Sequence, residues 1–132
     1  MKRNWDLLRW ILNQAESCDA GYPIVVTDKA QYSSRHYKLN IGEHNFEEVC
    51  EHILLLGDAG FAEVRDLGRG FDAPSGVVID RLTMTGHDFL DTARDDTRWK
   101  KVMAIVQEKG GAVTIGVLIQ ILSTLMKQSF GL

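Results

Sequence analysis

The sequence predicts an α+β fold, and two patterns indicate this class. Residues 45–67 combine an amphipathic helix, a glycine stop at Gly60 and an immediate strand-like run. A β-rich stretch, residues 24–41, precedes that segment, and helical patterns dominate towards the C-terminus. The order helix, β-hairpin, central helix and wing hairpin is that of a winged helix, so we predict a winged-helix-like module over residues 1–84. Additional C-terminal helices, residues 85–132, are expected to pack on it within a single compact domain.

The composition gives no general attraction to nucleic acid. The chain has 132 residues, 45% apolar and 25% charged, which suffices for a hydrophobic core without disulfides. Its formal net charge is −3, so any DNA contact would need a local basic patch. Cys18 and Cys50 are widely spaced, and no apolar targeting stretch begins the sequence. We therefore expect reduced thiols and a cytoplasmic location.

The first third of the chain predicts one helix and then a β-hairpin. Apolar residues recur at helical spacing over residues 3–17, and Gly21 and Pro23 stop the helix. Residues 24–41 begin with IVVT and end with HYKLNI, in which apolar and polar side chains alternate around a polar loop. The basic side chains of this hairpin indicate either a solvated edge strand or a DNA-binding surface. They are Lys29, Arg35, His36 and Lys38.

The central helix, for which Asn45 is the predicted N-cap, has two different faces. At 100° per residue most of its apolar residues, with Cys50 among them, fall on the inward side, and His52 lies near the edge of the outward side. The outward side has four carboxylates and no lysine or arginine, and carboxylates repel the phosphates that dominate DNA affinity. This pattern favours a protein partner. The candidate partner-binding residues are Glu47, Glu48, Glu51, Leu55 and Asp58.

The wing hairpin is predicted from two strand-like runs, residues 61–67 and 76–84. A loop with two glycines and Pro74 joins them. Arginines and carboxylates alternate along this hairpin, which is typical of a solvated surface. Arg69 belongs to the candidate DNA-binding set together with the basic residues of the first hairpin.

Helices are predicted for the remainder of the chain. Thr85 is the expected N-cap of a helix over residues 86–96, and Asp95 or Asp96 caps its continuation. The pattern fits one kinked helix as well as two helices. Thr114 is expected to cap a last helix that is apolar nearly all round, and therefore buried in the domain or against a second chain. Its candidate dimer contacts are Leu118, Ile121, Leu122 and Leu125.

Several runs make the chain similar to a known family. RLTMTGHDFLDTARDDTRWKKV, EKGGAV and LIQILSTLMKQ, with MKRNWDLLRWIL and HILLLGDAGF before them, resemble the bacterial and phage domain of unknown function family 2513. The stretches LT-x-x-GH-x-FLD and RDDT-x-W are the most specific parts, and residues 24–41 match least. The resemblance covers nearly the whole chain. It implies a winged-helix-like fold and occurrence in prophage-type genomes, but no established activity and no site residues.

No motif predicts catalysis, a cofactor or a metal. Cys50 is expected to be an inert core thiol, and His87 and Asp88 diverge by about 100° on one helix, so they form no catalytic dyad. His44, Cys50 and His52 do not share a face, and no paired zinc spacing occurs. The glycines lack the strand–loop–helix context of a phosphate-binding loop. We therefore expect a protein that is not an enzyme.

Two kinds of function remain as hypotheses. One is a protein-interaction or self-associating module that uses the acidic central helix and the last helix. The other is a DNA-binding regulator that uses the basic hairpin, residues 29–38, and the wing. The charge of the central helix favours protein contact, and no membrane partner is expected because the most apolar run, residues 115–126, is too short to span a bilayer.

Overall fold

The computed structural model describes residues 1–18, 23–28, 35–70 and 74–131. Within these ranges the chain forms five α-helices and one four-stranded sheet, so the predicted α+β class is confirmed. The elements in chain order are α1 (Trp5–Ser17), β1 (Ile24–Val26), β2 (Tyr37–Lys38), α2 (Phe46–Asp58), β3 (Ala62–Asp66), β4 (Val77–Leu82), α3 (Met84–Ala93), α4 (Asp96–Glu108) and α5 (Ile115–Ser129). Two compact units divide the chain, Met1–His87 and Asp88–Leu132.

The sheet of the first unit has the strand order β2-β1-β4-β3. β3 and β4 pair antiparallel, as predicted for the wing hairpin, with a register shift between Glu63 and Val64. β1 pairs antiparallel with the other edge of β4. β4 is therefore an interior strand, which agrees with the burial of its residues Val77, Val78 and Ile79.

The prediction of a β-hairpin over residues 24–41 is wrong. β1 and β2 pair in parallel, with Ile24 opposite Tyr37 and Val25 opposite Lys38. Parallel strands need a crossover connection, whereas a hairpin turn joins antiparallel ones. The three residues of β1 are all buried, so this strand needs a neighbour on each edge, and β4 takes the antiparallel side. The alternation in HYKLNI correctly indicated a strand but contained no information about its direction.

Helices α1 and α2 pack on each other and on the sheet. Both begin at a side-chain cap: the Asn4 side chain accepts a hydrogen bond from the Leu7 N–H, and the Asn45 side chain accepts one from the Glu48 N–H. Asn45 was the predicted cap of α2. The core beneath the two helices is aliphatic, and its least exposed members include Ile11, Leu12, Val49, Ile53 and Leu56.

The junction between α2, β4 and α3 is tightly packed. Gly60 ends α2 with a φ of 77°, a conformation that favours glycine. The Thr83 hydroxyl donates to the Gly60 carbonyl and accepts a hydrogen bond from the Gly86 N–H at 3.1 Å. Thr83, and not Thr85 as predicted, therefore caps α3. A Cβ atom on Gly86 would overlap the carbonyl oxygen of Phe61, so α3 can approach this closely only through a glycine.

In the second unit, α4 follows α3 as a separate helix and packs against α5. The Asp95 side chain accepts a hydrogen bond from the Arg98 N–H at 2.7 Å, so Asp95 is the cap that starts α4. Thr114 caps α5 as predicted, by accepting from the Val117 N–H. The predicted packing of these helices on the first module stays a prediction.

We expect Gly86→Ala to lower the free energy of unfolding by about 2–3 kcal/mol, because the added methyl group overlaps backbone that cannot move aside easily. Urea denaturation followed by tryptophan fluorescence measures the change. Gly116→Ala is the matched control. This glycine lies in α5, and the nearest atom to an added Cβ is 4.0 Å away. The free energy of unfolding of the Gly116→Ala variant should therefore equal or slightly exceed that of wild type. Equal midpoints for Gly86→Ala and wild type would contradict the close packing at this junction.

Candidate functional site

The outward side of α2 forms an acidic face, which we define as Glu47, Glu48, Glu51, Leu55 and Asp58. Glu47 and Glu48 are exposed in the first turn, and Asp58 is exposed at the last residue. Glutamates at a helix N-terminus interact favourably with the positive end of the helix dipole, which explains their position. No salt bridge joins these three carboxylates to another residue in the described part of the chain.

The centre of the acidic face is less open than the sequence suggested. Leu55 is half-buried, so it offers part of a side chain and not a protruding one. The Glu51 carboxylate lies 3.5 Å from the guanidinium of Arg69 in the wing. Both side chains are substantially exposed, so this pair contributes little to stability. It does bring the Arg69 side chain against the centre of the acidic face.

His52 is placed differently from the prediction, which put it near the outward edge of the helix. The side chain is fully buried. Its Nε2 accepts a hydrogen bond from the Asn4 N–H at 2.9 Å, and its Nδ1 lies 2.7 Å from the Glu48 carbonyl oxygen, which requires Nδ1 to carry the proton. His52 is thus a structural residue that joins the start of α1 to α2. The periodicity of α2 alone could not show this burial, because Asn4, the hydrogen-bond partner of His52 at the start of α1, lies 48 positions away in sequence.

The candidate DNA-binding residues do not form one basic surface among the described residues. Lys29 lies outside the described ranges. Arg35 and Lys38 are exposed, and His36 is half-buried, at the β2 edge of the sheet. Arg69, which follows β3 at the opposite edge of the sheet, contacts Glu51.

The other arginines of the wing hairpin are also paired with carboxylates. Arg65 makes two hydrogen bonds to Asp80, at 2.8 and 2.9 Å, and Arg81 bonds Glu63 at 2.8 Å. These are cross-strand pairs between β3 and β4, and they neutralise the wing locally. The prediction of a hairpin without net positive charge agrees with this arrangement.

The candidate dimer contacts on α5 divide into two groups. Leu118 and Leu122 are fully buried within the chain, so the prediction that they face a second copy is wrong. Four residues apart, they lie on one helix face, and that face is already packed. Ile121 and Leu125 are half-buried. The apolar residues that α5 leaves exposed are Val117 and Ile119, at 39% and 37%.

A cavity of about 310 Å³ in the first unit was missed by sequence reasoning. The end of α1, strands β1 and β4, and the start of α3 line it, and it is open to solvent. Its lining residues include Cys18, and the Nδ1 of His87 lies 3.8 Å from a carboxylate oxygen of Glu16. These residues are separated by about seventy positions, so no local motif could have grouped them. His87 therefore has Glu16 as its acidic neighbour in space, as well as Asp88 next to it in sequence.

No group of three or more His, Cys, Asp or Glu side chains within the described ranges is arranged to hold a metal ion. None of the helices described is long and apolar enough to cross a bilayer.

Comparison with known proteins places the chain in a family. The model of the family described as "Hypothetical protein (DUF2513)" matches residues 2–112. The chain belongs to this family. It is also 31% identical over 130 residues to an "Uncharacterized protein" of Haemophilus influenzae, a match that covers 97% of this chain and 98% of the relative. No solved structure matches the chain. The family resemblance predicted from the motifs is thereby confirmed, and the function has to be argued from the residues.

Cys50, on the inward side of α2, is predicted to make stability depend on pH. Burial and, after it, the charge of Glu51 raise the pKa of this thiol from 9.0 to about 12. The folded protein therefore holds the thiol proton more tightly than the unfolded chain. The stabilisation is complete below pH 9.0 and is lost as the pH rises towards 12.

We expect the free energy of unfolding of wild type to fall relative to Cys50→Ala above pH 9, measured by urea denaturation from pH 7 to pH 11. Between pH 7 and pH 8 the difference between the two proteins should stay constant. A constant difference up to pH 11 would show that the thiol ionises as readily in the folded protein as in the unfolded chain.

Proposed function

We propose that this family member is a non-catalytic, winged-helix-like module of bacterial or prophage type that acts in the cytoplasm through protein–protein contact. The observation that carries the proposal is the acidic face of α2. This helix follows the sheet-covering helix α1 and leads directly into the wing hairpin, the position of a recognition helix in a winged helix. Its outward residues, however, are carboxylates where a DNA-reading helix offers Arg, Lys, Asn or Gln.

Electrostatics supports a protein partner over DNA at this face. Non-specific DNA affinity comes from cations that replace the counterions of the phosphates, and each carboxylate at the contact opposes that exchange. Glu47, Glu48 and Asp58 are exposed at the two ends of the helix, and among the described residues the ion pair made by this face joins Glu51 to Arg69. A complementary partner presents basic side chains around a small apolar contact for Leu55.

Self-association is the second route to protein contact. α5 leaves Val117 and Ile119 exposed, and residues 115–126 contain no charged side chain. A surface of this kind is compatible with an apolar contact between two copies. The contact would use either Val117 or Ile119, which lie on different faces of the helix about 200° apart, because Leu118 and Leu122 are packed inside the chain.

DNA binding remains the alternative function. Arg35 and Lys38 are exposed beside β2, at the edge of the sheet farthest from the wing. If DNA is bound, this segment is the expected contact, together with Arg69.

We expect no detectable shift of random duplex DNA at micromolar protein and about 50 mM salt in an electrophoretic mobility assay, because the acidic face repels phosphate. A clear shift that weakens steeply with added salt would contradict the protein-contact proposal and favour the alternative.

Two variants locate the contact if a shift does appear. The double variant Arg35→Glu, Lys38→Glu should abolish binding through the β2 edge. Glu51→Gln, the matched control on the acidic face, should leave binding unchanged or strengthen it, since it removes a repulsive charge. The reverse pattern would exclude the β2 edge as the site.

A further inference from the structure

His52 holds the start of α1 against α2 through an uncharged ring. The side chain is fully buried. Its Nε2 accepts a hydrogen bond from the Asn4 N–H at 2.9 Å, and its Nδ1 lies 2.7 Å from the Glu48 carbonyl oxygen. A carbonyl oxygen only accepts and a backbone N–H only donates, so Nδ1 carries the one ring proton and Nε2 carries none. The two partners therefore fix both the charge and the tautomer of the ring.

Asn4, the partner of Nε2, is also the N-cap of α1. Its side-chain oxygen accepts a hydrogen bond from the Leu7 N–H at 3.1 Å, and its backbone carbonyl accepts one from the Leu8 N–H at 3.0 Å. The Asn4 N–H has its acceptor on another helix, 48 positions away in sequence. One residue thus starts α1 and ties this start to α2.

A second proton on the His52 ring has no acceptor in this arrangement. A protonated Nε2 would point its N–H at the Asn4 N–H, so two donors would meet and the hydrogen bond between them would be lost. The positive charge would also be removed from water, because the side chain is fully buried. An unsatisfied buried donor and an unpaired buried charge both oppose the folded arrangement. Uptake of the second proton therefore requires the ring to separate from Asn4.

The charged groups around α2 do not offer this ring a partner. The contacts of the ring within the described residues are its two hydrogen bonds, and no ion pair includes it. α2 packs against α1, β1, β3 and β4, of which β1 has no titratable residue. The titratable residues of the other elements are Asp6, Arg9 and Glu16 on α1, Glu47, Glu48, Cys50, Glu51 and Asp58 on α2, Glu63, Arg65 and Asp66 on β3, and Asp80 and Arg81 on β4. An imidazolium at His52 would therefore have no carboxylate bonded to it while the contact with Asn4 is closed.

We propose that the contact of His52 with Asn4 is a pH-sensitive latch, which mild acid opens to release residues 1–4 and the first turn of α1 from α2. The released ring binds one more proton than the closed one, so acid favours release and neutral pH favours closure. A solvent-exposed imidazole takes up its second proton at about pH 6.5. The latch is therefore closed above this pH and opens progressively as the pH falls below it. This device is independent of the protein contact proposed for the acidic face.

Protection of the Asn4 amide hydrogen against exchange measures the latch, once it is corrected for the intrinsic exchange rate at each pH. NMR on the full chain should show this protection falling about tenfold from pH 7.5 to pH 5.5 in wild type, the limit for one proton taken up only by the released form. His52→Gln should show no such fall, because its side-chain carbonyl offers an acceptor to the Asn4 N–H and does not titrate. His44→Gln is the matched control. His44 is exposed and stacks on Trp10, so this variant should keep the wild-type response.

The ring nitrogens of wild type provide a second measurement that does not depend on the folding of a variant. Nitrogen-15 spectra of the histidine rings at pH 7.5 should show His52 with a proton on Nδ1 and none on Nε2. A proton on Nε2 at this pH would overturn the proposal. So would protection of the Asn4 amide that does not change with pH in wild type, an equal fall in His52→Gln, or a response that is lost in His44→Gln.

Discussion

The first unit depends on one close approach, between the first turn of α3 and the chain that leaves α2. Gly86 lies against the Phe61 carbonyl, and the Thr83 hydroxyl links the end of α2 to the start of α3 through Gly60. The Thr83 N–H also donates to the Phe61 carbonyl at 3.0 Å, which closes the wing hairpin. One short segment thus sets the positions of the central helix, the wing and His87. It also gives a physical reason for the LT-x-x-GH motif: the threonine caps α3, and only a glycine fits at the contact.

Much of the local structure was predictable because the deciding interactions lie within a few residues. The caps Asn45 and Thr114 bond the backbone three positions on, and helical periodicity locates the buried residues of α2. The errors arise where distant partners decide. The parallel pairing of β2 joins it to β1 residues 13 positions earlier in the sequence, and His52 is bonded to Asn4, 48 positions earlier.

The candidate sites were likewise predictable only where their residues are close together in sequence. The acidic face of α2 is visible in the sequence because one helix carries all of it, although the contact of Glu51 with Arg69 and the partial burial of Leu55 are tertiary effects. The helical periodicity of α5 shows two apolar sides but does not show which of them is packed. In the structure, the side with Leu118 and Leu122 is buried. The cavity beside Cys18 could not be predicted from local sequence patterns, because its lining residues come from α1, β1, β4 and α3.

We propose that the acidic face of α2 binds a basic protein surface and repels DNA. An NMR titration of ¹⁵N-labelled protein tests it directly, with a lysine-rich peptide that contains one leucine in one series and duplex DNA in the other. We predict that the peptide shifts the amide signals of Glu47, Glu48, Glu51 and Asp58, that added salt reverses these shifts, and that DNA leaves the same signals unchanged. Shifts of the α2 amides caused by DNA, with none caused by the peptide, would contradict the account.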